Sequence, residues 1–325
     1  MIRRLWPLLL LLAAAMTVPR FSEAGPDPAS AAAARFEALA ADVTRADGAV
    51  FDARDDTGRT MDTAEITPVP GAYGGGYLAV YHTALADGRF HTAVATSTDL
   101  RTWTRRHDFG PGTSQPSLHA DGTGGWVLAY EKDPANHIAL RHYPSLGALL
   151  AGAADRAFDA PRTLSRCAEG TPDVTAVHGD TVELTGHYRA DCTTDRQLRA
   201  TLRGFTAWRA HPEHRLDLAL LAWGTAGNIG DRSRIELMGH PLILIEGQRL
   251  RGDFGSWSAY VYDPVSGRAD RLGLRTPGGS RAFANPSATL LTDPDGRPAL
   301  LVSVFIPKEE SAPGESGELV YWREL

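Results

Sequence analysis

The 325-residue sequence predicts an all-β fold, a five-bladed β-propeller with a short N-terminal helix after a signal peptide. Three observations carry this. From Asp62 onward, strand-sized apolar runs are broken by Gly, Pro, Asp and Asn, with almost no long stretch of helical period. The runs recur at about 50 to 60 residues, the length of one four-stranded blade. Within the units, a proline following a polar residue and a Leu/Phe-x-x-Trp element recur in the same order.

Residues 1–24 read as a secretory signal. Arg3 and Arg4 precede the apolar run "LWPLLLLLAAAM", and Ser22-Glu23-Ala24 forms a small-x-small cleavage site before Gly25. That run falls short of the roughly 20 residues that span a bilayer. A secreted, extracellular chain with no membrane attachment is therefore expected. Residues 25–48 are Ala-rich, and Ser30 is placed to cap one short helix. The propeller is assigned to residues 49–325.

The units are "DTAEITPVPGAYGGGYLAVYHT", "TSQPSLHADGTGGWVLAYEKD", "EGTPDVTAVHGDTVELTGHYR", "GHPLILIEGQRLRGDFGSWSAYVYD" and "ANPSATLLTDPDGRPALLVSVF". Proline suits the first position of a strand, where no ladder donor is needed. "TSTDLRTWTRR" in the first unit is echoed by "TLRGFTAWRAH" in the third. A β-sandwich also shows short strands at regular spacing; the ordered recurrence inside units favours the propeller. "SLGALLAGAADRAF" and "HPEHRLDLALLAWGTAGNIGDR" fit no blade strand and read as insertions or loops.

Removing the leader takes away three arginines and one glutamate. That leaves 30 basic and 38 acidic side chains, so the formal charge moves from −6 to −8. Such a surface repels nucleic acid. Cys167 and Cys192 are the only cysteines, and an even pair in an exported chain implies one disulfide, stabilising the fold by roughly 3 kcal/mol. A monomer is expected.

Residues ahead of the unit prolines are placed to meet at one end of a central channel. This gathers Asp62 and Glu65, Ser114 and Gln115, Glu169, Thr171 and Asp173, His240, and Asn285. The sequence contains no HExxH, EF-hand, Cys/His cluster or GxSxG elbow, so neither a catalytic metal nor a serine nucleophile is implied, and no cofactor is expected. "YGGGY" lacks the helix signature of a phosphate loop and reads as a hairpin. Trp103 and Trp208 hold matching repeat positions and are expected to pack blades, whereas Trp257 breaks that equivalence and suits an aromatic wall against a sugar face.

Ser97-Thr98-Asp99-Leu100-Arg101-Thr102-Trp103 and Glu169-Gly170-Thr171-Pro172 resemble motifs of the five-bladed propeller glycoside hydrolases, family 43 in particular and family 32 more distantly. In that family a Glu-Gly-Pro or Glu-Cys-Pro segment carries the general acid; here one residue is inserted. The resemblance implies Glu169 as acid and Asp62, or Glu65 in its place, as the opposed carboxylate. The family's second-blade Asp is replaced by Gln115. Asp173 and Glu246 are candidates to compensate. Gln115, His187 and Asn285 would orient the sugar, and Arg196, paired with Asp195, would shape the wall. The resemblance also allows a structural cation in the channel, with no ligands indicated. The expected activity is hydrolysis of furanosyl or pentosyl linkages in a plant or microbial wall polysaccharide. The alternative is a non-catalytic, lectin-like propeller.

Overall fold

The computed structural model describes residues 28–71 and 74–325; the expected signal lies outside them. Helix α1 spans Pro28–Ala40, and the side chain of Ser30, read as its cap, lies outside the described residues. Strand β1 (Gly48–Val50) follows. Blade I is β2 (Asp62–Pro68), β3 (Tyr77–Ala84), β4 (Phe90–Ser97) and β5 (Thr104–Pro111). Blade II is β6 (Thr113–Ala120), β7 (Trp126–Lys132), β8 (His137–Tyr143) and β9 (Arg156–Asp159), with helix α2 (Leu146–Leu150) between its last two strands. Blade III is β10 (Glu169–His178), β11 (Thr181–Ala190), β12 (Thr194–Arg203) and β13 (Ala207–Pro212). After helix α3 (His214–Leu221), blade IV is β14 (Ile229–Leu237), β15 (His240–Gln248), β16 (Trp257–Asp263) and β17 (Arg268–Arg271). Blade V is β18 (Ala284–Thr292), β19 (Pro298–Ile306) and β20 (Gly317–Glu324), and β1 supplies its outermost strand.

Two expectations are corrected. The stretch read as an insertion before residue 160 contains α2 and the outer strand β9. The inner strand of blade IV is Ile229–Leu237, read from sequence as loop, so His240 opens the second strand and sits beside Asp263 rather than at the channel mouth. The reason is local: Gly230-Asp231-Arg232 replaces the polar-Pro pair that marks three of the other inner strands.

A β-bulge recurs near the head of every inner strand. Paired partners skip between Asp62 and Glu65, Ser114 and Ser117, Gly170 and Asp173, Ile229 and Arg232, and Ala284 and Ser287. Four bulges place a non-glycine residue in the left-handed region: Thr63 (φ 58°), Gln115 (50°), Thr171 (38°) and Asn285 (47°). Proline follows three of them, where its missing N–H costs no ladder bond. The bulge turns each of those four N–H groups toward a buried acceptor in the preceding blade. Thr63 donates to Glu318 Oε2 (3.0 Å), Gln115 to His82 Nδ1 (3.0 Å), Thr171 to Glu131 Oε1 (2.7 Å) and Asn285 to Glu246 Oε2 (2.6 Å).

Between blades, apolar side chains alternate onto facing sheets. Leu78 and Val80 meet Leu128 and Tyr130 at the I–II joint; Val127 and Leu140 meet Val182 and Leu198 at II–III. Leu242 and Leu244 meet Leu300 and Val302 at IV–V, under Phe36 and Leu39 of α1; Leu301 and Trp322 meet Ile66 and Tyr81 at V–I. The III–IV joint differs: the apolar cluster there belongs to blade IV and α3 (Leu216, Leu220, Ile245, Tyr260) and contains no residue of blade III. Gln197 instead bridges the blades, its Nε2 donating to the carbonyls of Ile229 and Gly230 (2.8 and 2.9 Å). The Leu/Phe-x-x-Trp echo also has a structural counterpart, since Leu100 and Phe205 both bury their side chains at positive φ. Trp103 is buried in the cluster at the V–I joint, and Trp208 packs, partly buried, against the cluster at the II–III joint, as expected of blade-packing residues.

Ring closure rests on β1 against β20, where Gly48 pairs with Trp322. A Cβ on Gly48 would lie 2.0 Å from the Trp322 ring. Gly48→Ala is expected to force the indole out of its seat and to destabilise the ring by roughly 1–3 kcal/mol, read as a lower denaturant midpoint with an unchanged slope. An unchanged midpoint would show that closure does not depend on this contact.

Candidate active site

The heads of the inner strands open into a cavity of about 720 Å³. Asp62, Gln115, Glu131, His187, Asp195 and Glu246 line it, with Asn285 and the aromatic rings of Phe90, Phe254 and Trp257. Six of the sequence-derived site residues therefore meet here: Asp62, Gln115, His187, Glu246, Trp257 and Asn285.

The others do not. Glu169 is buried outside the cavity, where its Oε1 accepts the backbone N–H groups of Thr163 (2.6 Å), Leu164 and Ser165 (3.0 Å). Glu65 and Asp173 lie deeper, along the lower mouth of the channel. Arg196 donates to the carbonyls of Asp195 and Gly227 and is structural. The disulfide joins Cys167 and Cys192, Cα atoms 5.5 Å apart, bracing the loop ahead of Glu169.

Register accounts for the displacement of Glu169. Pro172 holds the same bulge position as Pro116 and Pro286, so the residue two places before it, where the Glu-Gly-Pro pattern has its acid, is Gly170. The inserted residue pushes Glu169 one position back, onto the opposite side of the strand. Space beside Gly170 is filled from the neighbouring blade, because a Cβ there would fall 2.1 Å from Glu131 Oε1. Sequence reasoning missed Glu131. Its signal was present: "VLAYEK" in β7 matches "LAVYHT" in β3, with Glu131 and His82 at the same place.

The electrostatics divide these groups. Asp62 has one oxygen bonded to the Thr60 hydroxyl (3.1 Å) and a second, Oδ1, buried with no partner among the described residues; burial pushes its carboxyl up to about 6, against the Thr60 bond. Glu131 is pushed up to about 7, first by burial, opposed by the Thr171 amide and raised further by the Asp195 charge. Both oxygens of Glu246 accept backbone amides, from Asp231 (2.9 Å) and Asn285, which makes it a brace. Burial lowers His82 to about 3 and His187 to about 4, so both are neutral. His82 Nδ1 accepts from the Gln115 amide, which fixes its proton on Nε2. His187 is held through Nδ1 by the Thr171 hydroxyl, and its Nε2 is buried without a hydrogen-bond partner among the described residues, 3.7 Å from Asp195. Arg189 grips Asp195 with Nε (2.9 Å) and Nη2 (3.3 Å).

Beneath the cavity the channel holds a cation of the chain itself. The buried Arg232 guanidinium donates to the Thr171 carbonyl (2.6 Å), with Asp231 and Asp173 the leading charges acting on it. Among the described residues no group of three or more His, Cys, Asp or Glu side chains is placed to hold a metal ion.

No family model matches the chain, and no curated protein matches its sequence. Solved structures do match. One described as a glycoside hydrolase aligns over 91% of this chain and 95% of its own at 11% identity, with a TM-score of 0.58. The α-L-arabinofuranosidase of Fusarium graminearum, in complex with arabinobiose, aligns over 85% and 96% at 11% identity and 0.51. An N-acetylgalactosamine deacetylase from F. plautii, in complex with blood group B trisaccharide, aligns over 88% and 92% at 10% identity and 0.51. The protein thus shares its five-bladed fold with carbohydrate-active proteins, glycoside hydrolases among them.

Two outcomes follow from the side chains. Glu169→Ala leaves buried amides without an acceptor and is expected to cost roughly 1–3 kcal/mol of stability, seen as a lower denaturant midpoint. For Asp62 the folded state holds its proton more tightly than the unfolded chain, so its contribution is intact below the ordinary 3.8 and is lost as pH rises through about 6. Asp62→Asn is expected to raise the thermal midpoint above pH 6, the gain shrinking as pH falls toward 4; a pH-independent difference would contradict this.

Proposed function

We propose that the cavity hydrolyses glycosidic bonds, with Glu131 as proton donor and Asp62 as the opposed carboxylate. The observation that carries this reading is that Asp62, whose buried Oδ1 has no partner among the described residues, lines the cavity, together with Glu131 filling the space beside Gly170. A buried carboxylate oxygen without a partner is costly to a fold that does not use it. Glycoside cleavage needs one carboxyl protonated and one ionised. The Glu131 carboxyl keeps its proton up to about 7 and gives it to the departing oxygen, while Asp62 is ionised from about 6 and acts at the anomeric carbon. Neutral His187, Asn285 and Gln115 offer polar groups to sugar hydroxyls, and Trp257, Phe90 and Phe254 give apolar faces to sugar rings.

The substrate we favour is a wall polysaccharide with furanosyl or pentosyl units, supported by the likeness in fold to an arabinofuranosidase holding arabinobiose. The disulfide and the leader-like N-terminus support action outside the cell. A second reading, a sugar-binding propeller without turnover, is favoured by Glu169 lying outside the cavity and Gln115 standing where the family has an acid.

Sugar release from arabinan, xylan, levan and arabinogalactan separates the two. Asp62→Asn and Glu131→Gln are each expected to lower kcat by about 10²- to 10⁴-fold, and Glu169→Gln to leave kcat close to wild type at equal folded fraction. Loss in Glu169→Gln with retention in Glu131→Gln would reverse the assignment. Retention on an immobilised glycan with no release from any substrate would establish the binder.

The pH profile supplies a further check. kcat/KM is expected to rise as Asp62 ionises near 6 and to fall as Glu131 deprotonates near 7, a narrow bell. A profile flat from 5 to 8 would remove both groups from the chemistry.

A further inference from the structure

The open III–IV joint contains a second cleft, of about 600 Å³, outside the cavity described above. Strand alternation builds it. On β12, Leu198, Ala200 and Leu202 face blade II, so Arg199, Thr201 and Arg203 face the other way; on β13, Arg209 and His211 share that side. Register sets His211 across from Arg199, and Arg209 across from Thr201. From blade IV, Arg234 on β14 completes the wall.

All four arginines are exposed, and among the described residues none of their guanidinium groups donates a hydrogen bond. The one ion pair among them is a loose Arg199–Glu213 approach of 3.8 Å. Glu183 and Asp173 are the acids that line the cleft, so its arginines outnumber its carboxylates in a chain of formal charge −6. At the other four joints this volume is filled by apolar side chains. An unfilled joint lined by unpaired guanidinium groups offers planar, bidentate donors for carboxylate or sulfate oxygens.

We propose that the III–IV cleft binds an anionic polysaccharide, a chain bearing carboxylate or sulfate groups. The site is independent of hydrolysis in the funnel. It holds the protein to an acidic glycan matrix while the funnel stays free.

Binding of polygalacturonate, dextran sulfate and uncharged dextran to the full protein at about 0.15 M salt tests this. Wild type is expected to bind at least one anionic polymer, more weakly as salt rises, and to ignore uncharged dextran. Binding of only one charged polymer identifies the group as carboxylate or sulfate. The combined variant Arg199→Glu, Arg203→Glu, Arg209→Glu is expected to lose affinity by about tenfold or more. These side chains are exposed, and an unchanged thermal midpoint confirms the fold. Asp62→Asn is expected to bind like wild type, which separates this site from the funnel. The control Arg249→Glu, Arg251→Glu, Arg268→Glu removes as much charge from exposed positions elsewhere. Equal losses in both triple variants, equal binding of uncharged dextran, or no binding of either anionic polymer would overturn the proposal.

Discussion

The constraint on which this molecule turns is the backbone N–H at the head of each inner strand. A bulge there takes one residue out of the ladder and leaves its amide facing a buried joint, where an unpaired donor is costly. Four blades answer with a buried acceptor from the blade before: Glu318, His82, Glu131 and Glu246. Every such bond crosses a joint between blades. The ring is therefore fixed at its mouth by polar contacts, and along its depth by apolar ones.

That arrangement ties stability to chemistry. Three of the four acceptors, His82, Glu131 and Glu246, also line the cavity, because a group that reaches the head of the next inner strand stands at its rim. Burial at the joint raises Glu131 and Glu246 and lowers His82. A carboxyl with a raised pKa near neutrality thus follows from ring closure itself. Asp62 differs in standing at a strand head instead of receiving from one, and it keeps an oxygen with no partner among the described residues.

Much of this was legible in the sequence, for a definite reason. Inner strands that begin with a polar residue and a proline announce both the blade and the residue at its mouth, so Gln115 and Asn285 could be found. Blade IV has Gly-Asp-Arg there and was misplaced by one strand. Glu131, Asp195 and Arg189 sit on second and third strands, and their approach to the mouth depends on pairing register, which a single strand does not display. Glu169 shows the converse: one inserted residue turns its carboxylate onto the other side of the strand, into three amides.

The same alternation explains why blade III carries both anomalies. Its inner strand has glycine where an acid is expected, and a side chain there would collide with Glu131 of blade II, whose carboxyl occupies that space from across the joint. On its far side, blade III meets no apolar partner. Near the mouth, Gln197 of blade III donates to blade IV carbonyl oxygens and the buried Arg232 of blade IV donates to the Thr171 carbonyl of blade III; below them the sheets part. Polar bridging needs strict geometry but little area, whereas an apolar joint needs area along its whole length. By closing one joint with hydrogen bonds, the ring keeps its five-fold closure and leaves a wall of arginines open to solvent.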